Sequence, residues 1–453
     1  MTEDVMRRSG RSVPRAGVVS MALPGYYLGE EKAHAKHEEM RSALEKEDLD
    51  LVAIGSVVTD RLGAREAGSK LSEKGVDFII AVLATFVPDH FVVEMLDTCD
   101  VPVFLWAVER EIECISLVGA MLINPTLYDL GKRYQLHAGD VGDKGILEKL
   151  IVFARGSMMS RALREMRVGY MGENPDIMFS MAVDEYGIKK VFGTTVIPIR
   201  DFDFVRRADR VPDEKAVRDW SAVKGEVGSV QISDEEGIQA SKAFIAVKEL
   251  AEEHGLDSVS INCWTQLKAK ICLPIARLND LGIGAGCEGD LHSTMLMRLL
   301  YVLGGRSAIN GDFLRMFPEE NEILFSHCGA GPFSIAKNKK DIVLHESIET
   351  HDGAAVFYPA NRPGRVTACN LMGSRAGYRL AILTGDVAET DMIYEGNPMR
   401  IRFDKPVGEI LRSAVEKGAG HHWSIAYGDF SREFELLAKF LGVEFSLLSA
   451  WAR

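Results

Sequence analysis

The run VDFIIAVLA, residues 76–84, is of strand length, rich in valine and isoleucine, and carries a single charge at Asp77. An apolar run without alternation belongs to a strand covered on both faces, as in a parallel sheet, rather than to one with a wet side. Working outward, RAGVVSMAL (15–23), DLVAIGSVV (50–58) and VPVFLWA (101–107) repeat the texture. Between them lie amphipathic stretches such as EEKAHAKHEEMRSALEKE (30–47). Strands alternating with helices predict an α/β fold whose parallel sheet has helices on both faces. ILEKLIVFARGSMMSRALREM (146–166) reads as one long helix leading out of this first domain.

The alternation restarts at Arg167 with VGYMGE (168–173), KKVFGTTVIPI (189–199) and GLDSVSINCW (255–264), which predicts a second doubly wound domain. Ligands of open α/β sheets bind at the carboxyl ends of the strands. After about residue 305 the texture changes: AAVFYPA (354–360), GRVTACNLMG (364–373), YRLAILTGDV (378–387) and MRIRFD (399–404) are strands punctuated by Gly, Pro and Asn. That pattern predicts an antiparallel, barrel-like segment, closed by the helix SREFELLAKFLG (431–442) and the strand VEFSLLS (443–449). The expected organisation is two tandem Rossmann-like domains, 1–166 and 167–305, followed by a β-rich C-terminal domain, 306–453.

With 453 residues, 47% of them hydrophobic, the chain can bury a large core. A net charge of −13 argues against a surface that neutralises nucleic-acid phosphates. No run of 18 apolar residues is present to span a bilayer, and the opening MTEDVMRRSGRSVPRAG lacks the apolar core of a secretory signal. Seven scattered cysteines, never spaced C-x-x-C, suit reduced thiols. The expectation is a cytoplasmic protein with a small-molecule substrate and neither nucleic acid nor membrane as partner.

GAGCEGDLHSTM (284–295) sets Glu288 and Asp290 directly after a run of glycines. Residues 284–289 formally match G-x-G-x-x-G, with Asp312 as a ribose-binding acid, but two carboxylates beside a pyrophosphate cradle oppose its charge. Asp290 before LHSTMLMRLLYVLGG is a good helix N-cap, with Gly304 and Gly305 at the far end. Capping leaves Glu288 unexplained, in a loop at the end of a strand. Six of the eleven histidines follow residue 290, and LFSHCGAGP (His327) and GAGHHWSIAYGD (His421, His422) repeat the glycine-flanked context. Carboxylates with imidazoles and no thiolate suit a hard or borderline divalent ion such as Mn²⁺. Each single histidine is equally well a hydrogen-bonded structural residue, and spacing alone does not select among ligands so far apart.

The set CEGD (287–290), NGDF (310–313), SHCG (326–329) and GHHW (420–423) followed by YGDF (427–430) resembles the L-fucose isomerase and L-arabinose isomerase superfamily, on its fucose isomerase-like branch. The opening VVSMALPGYYLGEE (18–31) shares in the likeness, which covers most of the chain. The resemblance implies two Rossmann-like domains, a β-rich C-terminal domain, Mn²⁺ (or Co²⁺ or another divalent ion) and a homo-oligomer, trimer or hexamer. It implies that Glu288 and Asp312 are the metal-binding and catalytic carboxylates. It makes His422 the late histidine ligand and His327 a further ligand as on the arabinose side.

The function this resemblance implies is aldose–ketose isomerisation of a pentose, deoxyhexose or modified hexose through a cis-enediol. A metal polarises the carbonyl, and the carboxylates move the protons. His421, Trp423 and Trp106 are candidates for contact with the sugar, although either tryptophan is as readily a core aromatic. Arg306, Arg315, Arg362 and Arg375 are candidates for an anionic substituent such as a sulfonate or phosphate, or are surface charges. Two other classes stand beside this reading: an NAD-dependent oxidoreductase using GAGCEG, and a non-catalytic sugar-binding protein.

Overall fold

The computed structural model describes residues 13–25, 30–108, 114–264, 267 and 270–451. The chain divides into two compact units, the first covering residues 13–161 and the second running from residue 162 to the end of the described chain. The long helix expected near 146–166 is present as Lys144–Glu165 and spans this division.

The first unit is a five-stranded parallel sheet. Its strands are β1 (Arg15–Met21), β2 (Asp50–Ala53), β3 (Phe78–Leu83), β4 (Val103–Ala107) and β5 (Tyr134–Ala138), in the order β2-β1-β3-β4-β5. That is a doubly wound order, with the switch point between β1 and β3. Every residue of β3 is buried, as its unbroken apolar run requires. Helix ends are cut by local chemistry: Asp60 accepts from the Gly63 N–H at the start of helix Arg61–Lys74, and Gly75 closes it in the left-handed region. The four expected strands are all present. The fifth, β5, is not apparent as an apolar run because Gln135 and His137 interrupt it. His137 is held there by stacking on Phe104, with ring centroids 4.6 Å apart.

The second unit contains a four-stranded parallel sheet and an antiparallel barrel. The sheet comprises β6 (Arg167–Met171), β7 (Thr195–Ile199), β9 (Ser258–Ile261) and β10 (Gly284–Gly286), ordered β10-β9-β6-β7. A capping box of Ser233 and Glu236 opens its helix Asp234–His254, and Gly255 ends it. The barrel is a ring of six antiparallel strands: β11 (Ile309–Phe317), β12 (Glu322–Ser326), β17 (Met399–Arg402), β16 (Gly377–Ala388), β15 (Arg365–Ser374) and β18 (His422–Tyr427). Pairing of β15 with β16 closes it, and β19 (Glu444–Leu447) adds in parallel to β16. The fold is therefore mixed α/β with parallel sheets and a C-terminal antiparallel barrel.

AAVFYPA does not join the barrel. It forms β14 (Ala355–Phe357) in a separate three-stranded sheet with β13 (Val343–His345) and β8 (Ser229–Val230). The parallel-sheet part and the barrel share core residues, among them Trp220, Leu273, Ile309, Phe325 and Trp423. Residue 305, where a boundary was expected, lies inside this one unit.

Candidate metal centre

The acid loop leaves β10 at Gly286 and enters helix Leu291–Gly304 at Asp290. Gly286 is required by close packing, since a Cβ there would sit 2.1 Å from Thr294 Oγ1 on that helix. Glu288 and Gly289 both take positive φ, 61° and 69°, which turns the chain sharply in two residues. Such a conformation is uncommon for a glutamate, and strained backbone of this kind clusters at functional sites.

Three backbone N–H groups that a phosphate cradle would use are turned to other partners. The Gly289 N–H donates to the Ile261 carbonyl at 3.0 Å and the Asp290 N–H to the Cys287 carbonyl at 3.1 Å. The Ser293 N–H donates to the Asp290 carboxylate at 2.9 Å. These three donors are already committed within the protein, which counts against the dinucleotide reading.

Three barrel strands supply the rest. Asp312 on β11 pairs directly with His422 on β18 and, on its other side, with Ser326 at the end of β12. Directly opposed residues in an antiparallel pair share a face. Strand register thus brings together residues 110 positions apart, and His327 follows one residue after Ser326. A β-bulge between Phe313 and Arg315 bends β11 just after the aspartate. The histidine doublet is pinned through Asn370, whose amide donates to the His422 carbonyl at 2.6 Å and accepts from the Gly420 N–H at 2.9 Å.

The atoms converge on His422 Nε2. It lies 3.0 Å from His327 Nε2, 3.4 Å from Glu288 Oε2 and 3.8 Å from Asp312 Oδ1. His327 Nε2 is 3.7 Å from Glu288 Oε1. Glu288, His327 and His422 form one group able to hold an ion, and Asp312, His421 and His422 a second that shares the same imidazole.

Two observations test whether a metal suits these residues. His422 Nδ1 donates to Asp290 Oδ2 at 2.8 Å. A carboxylate only accepts, so the neutral ring carries its proton on Nδ1 and turns the Nε2 lone pair into the cluster. Asp312 Oδ1, buried, has no hydrogen-bond partner. Lone pairs and an orphaned carboxylate oxygen meeting at one place can hold a cation among them. Metal bonds of about 2.0–2.2 Å leave neighbouring ligand atoms roughly 3 Å apart. The residues fit.

The electrostatics agree. Burial pushes the Glu288 carboxyl up, but neighbouring His421, His422 and His327 outweigh it and hold the group well below the usual carboxylate range. Asp290 is likewise held low, with His422 overcoming the effect of burial. Burial pulls His422 down, but Asp290 and Glu288 together push it up to about 9.

Asp290 therefore has two roles. It caps the helix as expected, and it also fixes the orientation of His422, the carboxylate–histidine arrangement found behind metal ligands. Capping chemistry explains the aspartate completely on its own, so nothing in the sequence signals the second role.

The other expected residues separate. His421, 44% exposed at its side chain, has Nε2 4.0 Å from Glu288 and lies on the solvent side. Trp423, the next residue along β18 after His422, is fully buried in the barrel core against Phe325. Trp106 is fully buried in the first unit, its indole N–H donating to the Gly139 carbonyl at 3.0 Å. Both tryptophans are core aromatics. Arg362 donates to the Ser334 and Ala336 carbonyls, Arg375 pairs with Asp184, and Arg315 lies over Phe317.

With this geometry in view, similarity to known proteins adds a class. No family model matches the chain. The sulfoquinovose isomerase of Alkalicoccus urumqiensis is 23% identical over 373 residues, covering 80% of this chain and 84% of that protein. The sulfoquinovose isomerase of Priestia aryabhattai is 22% identical over 379 residues, covering 82% and 85%. The L-arabinose isomerase of Yersinia enterocolitica is 23% identical over 337 residues, covering 70% and 67%. A solute-binding protein from Actinobacillus succinogenes with bound D-allose aligns with a TM-score of 0.19, too low to bear on the fold. The relatives indicate a sugar isomerase. Their similarity supports the likeness to the L-fucose isomerase and L-arabinose isomerase superfamily that the chain's motifs imply.

Proposed function

We propose that the protein is a divalent-metal-dependent aldose–ketose isomerase, with Glu288, Asp312, His327 and His422 holding the ion and Mn²⁺ the preferred metal. The observation that carries this reading is the meeting of these four side chains at His422 Nε2, with Asp290 fixing the proton on the opposite ring nitrogen. A bound divalent ion would supply Lewis acidity toward the vicinal oxygens of an open-chain sugar.

The chain's residues handle the protons. One of the two carboxylates takes the hydrogen from C2 of the aldose and returns it to C1, while the other carries the hydroxyl proton between O1 and O2. The sugar passes through a cis-enediol, and the net change is aldose to ketose with no other reactant. Glu288 suits the work by position, its Oε2 lying 3.4 Å from His422 Nε2 where the four side chains meet. Asp312 suits it because one oxygen has no protein partner to give up. His421, half-exposed beside Glu288, contacts the sugar.

The sulfoquinovose isomerases match over most of the chain, which supports a sulfonated deoxyhexose as the first substrate to offer. The test is a screen of sulfoquinovose, L-arabinose, L-fucose and related aldoses for ketose formation, with Mn²⁺ and after exhaustive chelation. Metal-restored formation of one ketose is expected. Full activity after chelation, or no ketose from any aldose, would sink the reading.

A further inference from the structure

A cleft of about 600 Å³ opens in the second unit, away from the metal centre. One wall is the helix Asp201–Arg210, and the other is the last two turns of the helix Asp234–His254. Buried Ile199, Val211 and Leu250 close it below, and the exposed rings of Pro198 and Pro212 lie along it. None of Glu288, Asp312, His327 and His422 lines it. Pro198 and Ile199 end β7, which is the opposite edge of the four-stranded sheet from β10 and its acid loop. Strands about 4.8 Å apart set these two edges roughly 14 Å from each other.

Charge decides what the cleft can take. Three acids line it, and each already has a cation. Arg200 holds Asp203 by two hydrogen bonds, at 2.9 and 3.2 Å. Lys215 pairs with Glu249 at 2.7 Å, and Arg207 pairs with Glu253. Arg207 is thereby taken, whereas Arg206 and Arg210 are not. Arg206 rests over the Phe202 ring, 5.5 Å from its centroid, and neither guanidinium forms an ion pair with a described residue. Both line the cleft, and a spacing of four residues on one helix puts them on the same face.

In a chain of net charge −13, two guanidinium groups facing one cleft without a carboxylate make a local field for an anion. Each presents a planar fork of N–H donors that matches phosphate oxygens two at a time. The volume lies within the roughly 300–1,000 Å³ of small-molecule sites. A bare phosphate ion would leave most of that space, and the proline rings, unused. The paired carboxylates of Asp203 and Glu253 keep further lone pairs, which accept from hydroxyl groups.

We propose that this cleft is a second ligand site, which binds a small, hydroxylated phosphate monoester. Arg206 and Arg210 hold the phosphate, Asp203 and Glu253 accept from the hydroxyl groups, and the carbon skeleton lies on Pro198 and Pro212. The site does not depend on the metal reading.

The test is calorimetric titration of the full chain, stripped of metal and in low salt, with D-glucose 6-phosphate, D-glucose and inorganic phosphate as probes. Expected is saturable binding of one D-glucose 6-phosphate per chain, tighter than that of either control and weakened by added salt. Arg206→Gln together with Arg210→Gln should weaken it on the order of tenfold or more, and each single change by less. Arg412→Gln together with Arg432→Gln removes the same charge outside the cleft and should leave binding as it is. Melts of every variant check that the fold is kept. No saturable binding of D-glucose 6-phosphate, equal binding of D-glucose, or an ester affinity that ignores the Arg206 and Arg210 changes would overturn the proposal. Inorganic phosphate bound as tightly as the ester would overturn it too, because the skeleton would then contribute nothing.

Discussion

Asp290 shows how one carboxylate can satisfy two demands that a substitution separates. Asparagine caps a helix about as well as aspartate. It presents a neutral oxygen to His422 Nδ1, however, where the structure has a charged one at 2.8 Å. Asp290→Asn should therefore keep the helix cap, lose the stabilisation that protonated His422 draws from the aspartate, and weaken Mn²⁺ binding by about 10-fold or more, the usual cost of losing a partner behind a metal ligand. Parallel melts and Mn²⁺ titrations check this, and an unaltered metal affinity would return Asp290 to the role of a simple cap. Glu288→Gln and Asp312→Asn remove charge and basicity while keeping shape, so each should lower turnover at least ~10²-fold. His422→Ala should act mainly on metal affinity, with part of the rate recovered in excess Mn²⁺. His421→Ala should show a smaller metal effect and a raised KM.

At the scale of elements, the site depends on how closely strands and helices approach. In Gly286→Ala the new methyl group would meet Thr294 Oγ1 and push helix Leu291–Gly304 off β10. Overpacking of this kind costs about 1–3 kcal/mol, to be read from urea unfolding, and Mn²⁺ affinity should fall with it because Asp290 moves with the helix. In the first unit, burial pushes His137 on β5 down to about 4. The unfolded chain accepts this proton near pH 6.5, whereas the folded one refuses it until about pH 4. The stability of that unit is therefore highest above pH 6.5 and declines as pH falls toward 4. His137→Gln should flatten this acid limb in pH-dependent unfolding, and a limb of unchanged slope would assign it to other groups.

For the whole molecule, the centre couples stability, protons and metal. Without metal, His422 titrates near 9, above its usual 6.5. The stabilisation from its protonated form is fully present below pH 6.5 and is lost as pH rises through 9. An ion must displace that proton, so Mn²⁺ should bind more tightly with rising pH over the same window and release protons as it does. The shift in melting temperature caused by Mn²⁺ should grow from pH 6.5 to pH 9. At ~100 times its Kd, a ligand that binds only the folded state adds about 2.7 kcal/mol. Melts at three pH values, with Mn²⁺ or a chelator, measure this, and a shift independent of pH would place the ion away from His422.

The sequence by itself determined the elements whose reasons are local. Unbroken apolar runs made β1, β3 and β4 buried parallel strands, glycines and capping residues cut the helices, and turn-rich texture marked the barrel. Where the cause was not local, the sequence was silent. β5 hides behind Gln135 and His137, β10 is three residues with almost no side chains, and β14 has the texture of a barrel strand but pairs elsewhere. The same division runs through the site. Glycine-flanked acids and histidines marked Glu288, His327 and the doublet, and resemblance added Asp312. Only the tertiary structure set Asp312 opposite His422, gave Asp290 its second partner and brought Cys287 and Cys328 against His327. The physical reason is strand register: side chains alternate along a strand with a period of two. A slip of one residue would bury His421 and expose His422, and that register is fixed by pairings closed across more than a hundred residues.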